Sequence, residues 1–272
     1  MAVVKPPTRI AILGATGGTG RATLQSLLSK SDLSIELRVF VRSKEKFYRL
    51  FPTLRSNANC EVWEGELTSV DKITACLSGA NIIICTLGEN QNIPGINVLR
   101  VAAASIVSAL RTLKAQTGND WHQPRLLLLS SATWNPRLSG PSGFVLWLIK
   151  TAFHYPYVDL LGAHATLAEA DDLLSLLLVQ PPAIIDEAPT GFEISTEKSR
   201  VAVSYADLGA GFAELATEDA YRQLRAVGVT SLGGDQFGKY ASEILSRVFF
   251  GLVSGYLPGY WFTKRLIVRI MG

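Results

Sequence analysis

The chain lacks disulfides, zinc ligands and a membrane span. Its three cysteines, Cys60, Cys76 and Cys85, are odd in number and form no C-x-x-C pair. That excludes a disulfide framework or a structural zinc site and predicts reduced thiols. Histidines are as sparse, three in 272 residues, so no ligand spacing is present and no metal is expected. A strong charge of one sign is missing too: 26 cations against 23 carboxylates leave +3, with no basic stripe interleaved with aromatics. This balance argues against a nucleic-acid partner. The start, MAVVKPPTRI, has a Pro-Pro break and no long apolar stretch, and the longest uncharged stretch, 248–263, is interrupted by Pro258. Neither reads as a secretion signal or a spanning helix, so a soluble, cytoplasmic protein is expected.

What is there is the material for a core. Apolar residues make up 48% of the chain, enough for one large domain. Short apolar runs at Arg9–Leu13, Ile35–Val41, Cys60–Glu64, Ile82–Thr86, Arg125–Ser131 and Leu176–Gln180 read as strands. Amphipathic stretches at Thr19–Lys30, Val70–Leu77, Ile96–Ala115 and Tyr157–Leu174 read as helices between them. Periodicity alone leaves the LLLL run at 126–129 open to a helical reading, but Pro124 before it and Ser130-Ser131 after it suit a strand. The alternation predicts an α/β fold, a Rossmann-type doubly wound parallel sheet with helices on both faces. The second half is less regular: an apolar helix is expected late in 134–156, and two more at 204–217 and 236–249.

The stretch AILGATGGTGRATLQSLL, residues 11–28, passes from an apolar strand through glycines into a helix. Gly14 permits the tight turn, Gly17 lets a pyrophosphate approach the backbone beside Gly18, and Gly20 lets helix and strand pack closely. The helix start supplies unpaired N–H groups and a partial positive charge, and Thr16 and Thr19 add hydroxyls. No Lys-Ser/Thr follows, which excludes a P-loop. The second strand ends in Arg42, followed by Lys44 and Lys46, with no carboxylate at its tip. A guanidinium there suits the 2′-phosphate and favours NADP(H) over NAD(H). The whole chain, 1–272, then reads as one NAD(P)-binding domain with a small substrate-covering C-terminal portion. Substrate-side elements are expected mainly at 134–175, 186–200 and 236–272, over the carboxyl ends of the strands.

GATGGTG at 14–20, FVRSKEK at 40–46, CTLG at 85–88 and SSAT at 130–133 together resemble the atypical short-chain dehydrogenase/reductase superfamily, in its NmrA-like branch. VQPPAIIDE at 179–187 and VAVSYADLGAGFAELA at 201–216 are similar to fungal-type oxidoreductases of secondary metabolism. The resemblance implies that Glu66 and Leu67 flank the adenine and that Leu87 and Gly88 line the ribose and pyrophosphate. It also implies that Ser130 and Ser131 stand at the nicotinamide and Pro182 with Ala183 by its carboxamide. One departure concerns the Tyr-x-x-x-Lys pair of short-chain dehydrogenases, in which the lysine lowers the tyrosine pKa. Here Leu161 follows Tyr157 by four residues and Asp159 follows Tyr155, so the chain reads as lacking that relay.

Ser131, Tyr157 and Asp159 are the candidate catalytic groups, with Asp159 and His154 offering an acid–base pair and helix capping the alternative for Asp159. His164 lies two turns after Tyr157 and reads as structural; His122 belongs to a loop. The tail 239–272 sets five cations against Glu243 alone and adds aromatics at 256–262. Such a tail suits a membrane surface, a lid over an apolar substrate, or a homodimer contact; Gly251, Gly255, Pro258 and Gly259 favour the last two. The expected activity is NADP(H)-dependent reduction of an apolar or aromatic carbonyl or quinone-like small molecule in secondary metabolism. The alternatives are a non-redox isomerase, lyase or cyclase on the same scaffold, and a non-enzymatic NADP(H)-sensing regulator.

Overall fold

Ile10, Ala11, Ile12 and Leu13 follow one another and each is 0% exposed, a pattern that only a strand covered on both faces produces. They form β1 (Thr8–Leu13) of a computed structural model that describes residues 7–140 and 143–264. Residues 265–272, part of the expected covering portion, lie outside the described residues. The other strands of the main sheet are β2 (Ile35–Val41), β3 (Cys60–Glu64), β4 (Ile82–Cys85), β5 (Arg125–Leu129), β6 (Ser175–Val179), β8 (Phe192–Ser195) and β10 (Ala226–Ser231). Their order is β3-β2-β1-β4-β5-β6-β10-β8, and every neighbouring pair is parallel except the antiparallel β8 at the edge. Strands β7 (Ala183–Ile185) and β9 (Ala202–Ser204) pair separately.

The sheet alternates its side chains between two apolar clusters. Ile10 and Ile12 join Leu24 and Leu27 of α1 (Gly18–Ser29), Phe47 of α2 (Lys44–Leu50) and Phe212 of α7 (Tyr205–Thr217). Ala11 and Leu13 point the other way, toward Ile73 of α3 (Val70–Leu77), Ile106 of α4 (Val98–Thr117) and Leu160 of α6 (His154–Ala168). A doubly wound sheet covered on both faces is the expected fold. Its strand order reverses between β1 and β4, the crevice where such sheets bind dinucleotides.

Two further helices lie beyond this frame, α5 (Gly143–Ala152) and α8 (Phe237–Tyr256), and they pack on each other. The expectation that Gly251 and Gly255 interrupt a helix is corrected: α8 runs through both. A side chain at Gly251 would strike the backbone of Ala152, and one at Gly255 the amide of Asn92. The glycines thus permit close approach, and packing outweighs their unfavourable helix propensity of about 1 kcal/mol each. Also corrected is the start of α6, which begins at His154 and stops at Ala168, leaving Leu173 and Leu174 in the turn before β6.

Candidate active site

Each glycine of the first turn performs a separate steric task. Gly14 has φ +97°, and a Cβ there would meet Thr86 and the Leu87 nitrogen within 3 Å. A Cβ on Gly20 would strike the carbonyl oxygen of Gly14, whereas one on Gly17 would meet nothing closer than 3.4 Å. The turn is therefore locked at both ends and open in the middle. Gly17 is the N-cap of α1, with no side-chain cap and no acidic residue in the first turn, so the leading N–H groups remain available to an anion. Thr16 is half-buried at the rim; Thr19 is turned inward and buried. A Cβ on Gly18 would strike the ring of Tyr205, the first residue of α7. This cradle fits a pyrophosphate.

Beside it, Arg42 leaves the end of β2 exposed, and among the described residues it forms no ion pair. Ser43 caps α2 by accepting from the Lys46 N–H at 3.1 Å, and the Lys46 side chain is exposed in that first turn. Gly65 N–H donates to Val41 C=O, holding exposed Glu66 and half-buried Leu67 next to the tip of β2. Thr86 N–H donates to Leu13 C=O and fixes Leu87 and open Gly88 along the crevice.

At the end of β5, Ser130 is 9% exposed and its Oγ has no partner among the described residues, an orphaned group at the position assigned to the nicotinamide. Ser131 is bound to its surroundings: its Oγ accepts from Thr133 N–H at 3.3 Å and lies 3.4 Å from the Tyr157 hydroxyl. Thr133 Oγ1 is nearer still to that hydroxyl, at 3.0 Å. The Tyr157 ring meets Trp134 edge-on at 5.6 Å and Phe153 at 6.1 Å. Burial pushes its phenol above the usual range, against the opposing pull of the Ser131 and Thr133 hydroxyls. Lys150 Nζ sits over the Trp134 ring, 4.1 Å from its centroid. Pro182 is half-buried, just before β7, where Ala132 N–H ties the β5 end to Pro181 C=O.

Ser131 and Tyr157 are thus brought together; Asp159 is not. Its carboxylate, 2% exposed, accepts from the N–H groups of Leu99 at 2.8 Å and Arg100 at 3.0 Å and pairs with Arg100 Nε at 3.3 Å. It caps the start of α4 from a neighbouring helix, which removes it from the acid–base role expected of it. His154 is exposed and meets the Tyr155 ring edge-on, and among the described residues Asp159 is bound by Leu99 and Arg100 rather than by His154. Burial pulls the His164 ring down to about 4, so it is neutral in the physiological range. The cysteines are free and buried, with thiols pushed up to about 11, 12 and 11 for Cys60, Cys76 and Cys85, which makes them poor nucleophiles. Among the described residues no His, Cys, Asp and Glu group is arranged to hold a metal.

Sequence reasoning missed Thr133, Trp134 and Lys150, although the SSAT motif already carried the threonine. It also missed Asn92, fully buried, which accepts from Tyr155 N–H and donates to Gly251 C=O, joining the loop after β4 to α6 and α8. The reading that the chain lacks Tyr-x-x-x-Lys is corrected as well: Tyr260 and Lys264 have that spacing, beyond α8. Lys264 donates to Gln91 at 2.8 Å, and none of the described contacts of this pair reaches Ser131 or Tyr157.

Comparisons with known proteins bear on the family and the fold. The NAD(P)H-binding family matches residues 14–219. Oxidoreductase stcQ of Emericella nidulans is 34% identical over 223 residues, 80% of this chain and 81% of that protein. Averufin oxidase A of Dothistroma septosporum is 32% identical over 269 residues, 94% of each. Among solved structures, a short-chain dehydrogenase/reductase from Veillonella parvula in complex with NADP superposes with a TM-score of 0.65 at 17% identity. The match covers 84% of this chain and 96% of that one.

Proposed function

The chain belongs to the NAD(P)H-binding family of the atypical short-chain dehydrogenase/reductase superfamily, and from that premise we propose that it is an NADP(H)-dependent reductase. Its substrate is an apolar or aromatic small molecule with a carbonyl or quinone-like oxygen, in secondary metabolism. The observation that carries the reading is the Tyr157 hydroxyl set between Ser131 and Thr133 at the carboxyl end of β5, walled by Trp134 and Phe153. The preference for NADP(H) rests on Arg42 and Lys46 just past the end of β2, where the nearby Glu64 carboxylate is taken up by the Lys44 N–H at 3.1 Å.

When bound, the coenzyme supplies the hydride. Gly14–Gly20 hold its diphosphate through main-chain amides, and the orphaned Ser130 hydroxyl meets a polar group of the nicotinamide. Tyr157, kept neutral by burial, donates its hydrogen bond to the substrate oxygen and passes its proton to that oxygen as negative charge develops. Thr133 and Ser131 hold the phenol in place and refill it from solvent. Trp134 and Phe153 exclude water and stack an aromatic substrate.

The test is a panel of aromatic ketones and quinones incubated with NADPH deuterated at C4. Reduction with deuterium in the product is expected. Product formed without deuterium and without loss of NADPH would replace this reading with the non-redox one, and no turnover across the panel would favour the sensor.

A further inference from the structure

Large apolar side chains that face solvent are concentrated at one end of the molecule. Of the fourteen exposed among the described residues, nine fall within 143–152 and 245–262. They include Phe144 and Trp147 on α5, Leu245, Phe249 and Phe250 on α8, and Phe262 beyond it, all 58–71% exposed. The two helices are joined at Ala152 and Gly251, and Tyr256 donates its hydroxyl hydrogen to Thr151 C=O. On each helix the rings are paired: Phe144 stacks on Trp147 at 5.9 Å, and Phe249 meets Phe250 at 5.7 Å. The small residues of α8, Gly251, Ser254 and Gly255, face inward, so the aromatic side is left outward. A globular protein seldom leaves so many apolar groups together in water.

Charge identifies the occupant. Residues 143–158 and 244–264 contain Lys150, Arg247 and Lys264 and not one Asp or Glu. Arg247 is paired with Glu243 at the near edge and Lys150 lays its ammonium on Trp134, which leaves exposed Lys264, with one hydrogen bond to Gln91, as the cation of the aromatic face. A second copy docked by a two-fold axis would set this cationic face against itself, because such an interface pairs a surface with its own image. An anionic lipid surface meets both requirements, taking the rings into the headgroup boundary and the Lys264 ammonium onto a phosphate. Among the described residues no helix is long and apolar enough to cross a membrane, so contact stays at the interface. We propose that the α5–α8 face docks the protein on an anionic phospholipid membrane. Lys150 connects that face to Trp134 and hence to Tyr157, placing the reacting groups one helix below the surface from which an apolar compound would arrive.

Vesicle binding requires no coenzyme, so this inference stands or falls apart from the reductase reading. The full chain is sedimented with vesicles of phosphatidylcholine and phosphatidylserine and, separately, of phosphatidylcholine alone. Tight partition onto the mixed vesicles and weaker partition onto the neutral ones are expected. Replacing Phe249→Ser with Phe250→Ser lowers partition at least about tenfold with an unchanged circular dichroism spectrum; Phe262→Ser repeats the test outside α8. Lys264→Gln lowers binding to mixed vesicles alone, about fivefold. Three results overturn the proposal: no partition onto either vesicle, partition indifferent to the phenylalanines, or a dimer in sedimentation velocity that the same substitutions dissolve while lipid leaves the chain in the supernatant.

Discussion

Tyr157 is held by two hydroxyls where a short-chain dehydrogenase ordinarily supplies a lysine. Without a cation at hydrogen-bond distance, burial dominates and the phenol titrates above its ordinary 10, so its proton stays in place throughout the neutral range. Turnover limited by this donor is expected to stay level from about pH 6 to about pH 9 and to fall only as the phenol ionises. A rate that rises across that window would identify an ionised base instead. Tyr157→Phe should lower turnover by roughly 10²–10⁴-fold with NADPH affinity unchanged; Thr133→Val, which removes the 3.0 Å partner, should have a smaller effect in the same direction. His164 bears on stability. Its folded pKa of about 4 lies below the ordinary 6.5 of histidine, so above 6.5 the ring is neutral folded or unfolded. Between 6.5 and 4 the unfolded chain takes a proton that the folded ring refuses, and up to about 3 kcal/mol is lost as pH falls through that window. Urea midpoints at the two ends of the window should differ less in His164→Gln.

Asp159 shows how an element can claim a residue that looks chemical. The carboxylate meets the first turn of α4, where two N–H groups would otherwise be buried without acceptors. Asp159→Ala should cost about 2–4 kcal/mol in chemical denaturation while the turnover of the remaining folded protein is nearly unchanged. Lost turnover at full stability would restore the acid–base role. Elements whose pattern is local were legible: β2, β3 and α3 occur at the expected residues, and the glycine turn follows its strand as expected. β10 was not, because Gly228 breaks its apolar pattern; Leu138, from a distant loop, fills the space that Gly228 leaves. α8 was legible only to residue 249, since what carries it through Gly251 and Gly255 is contact with Ala152 and Asn92, neither of them near in sequence. The site divides the same way. The dinucleotide cradle sits on one contiguous motif, whereas Tyr157 meets Ser131 and Thr133 only because β5 and α6 pack side by side.

Over the whole molecule, the two glycine-bounded crossings at β1 and β4, the cationic corner at the end of β2 and the hydroxyl cluster at the end of β5 fall along one carboxyl edge of the sheet. In the proposed reading this edge gives adenine, phosphates and nicotinamide successive places, and Arg42 is the group on which discrimination of NADP(H) from NAD(H) chiefly rests. A charge-assisted contact to the 2′-phosphate contributes about 1.5–3 kcal/mol, or roughly 10–100-fold in affinity. The most direct check is a fluorescence titration of the purified chain with NADPH and with NADH, repeated on Arg42→Ala. NADPH should bind at least about tenfold more tightly than NADH, and the substitution should erase that difference while leaving NADH affinity unchanged. NADH binding as tightly as NADPH, or a preference that survives the loss of Arg42, would contradict it.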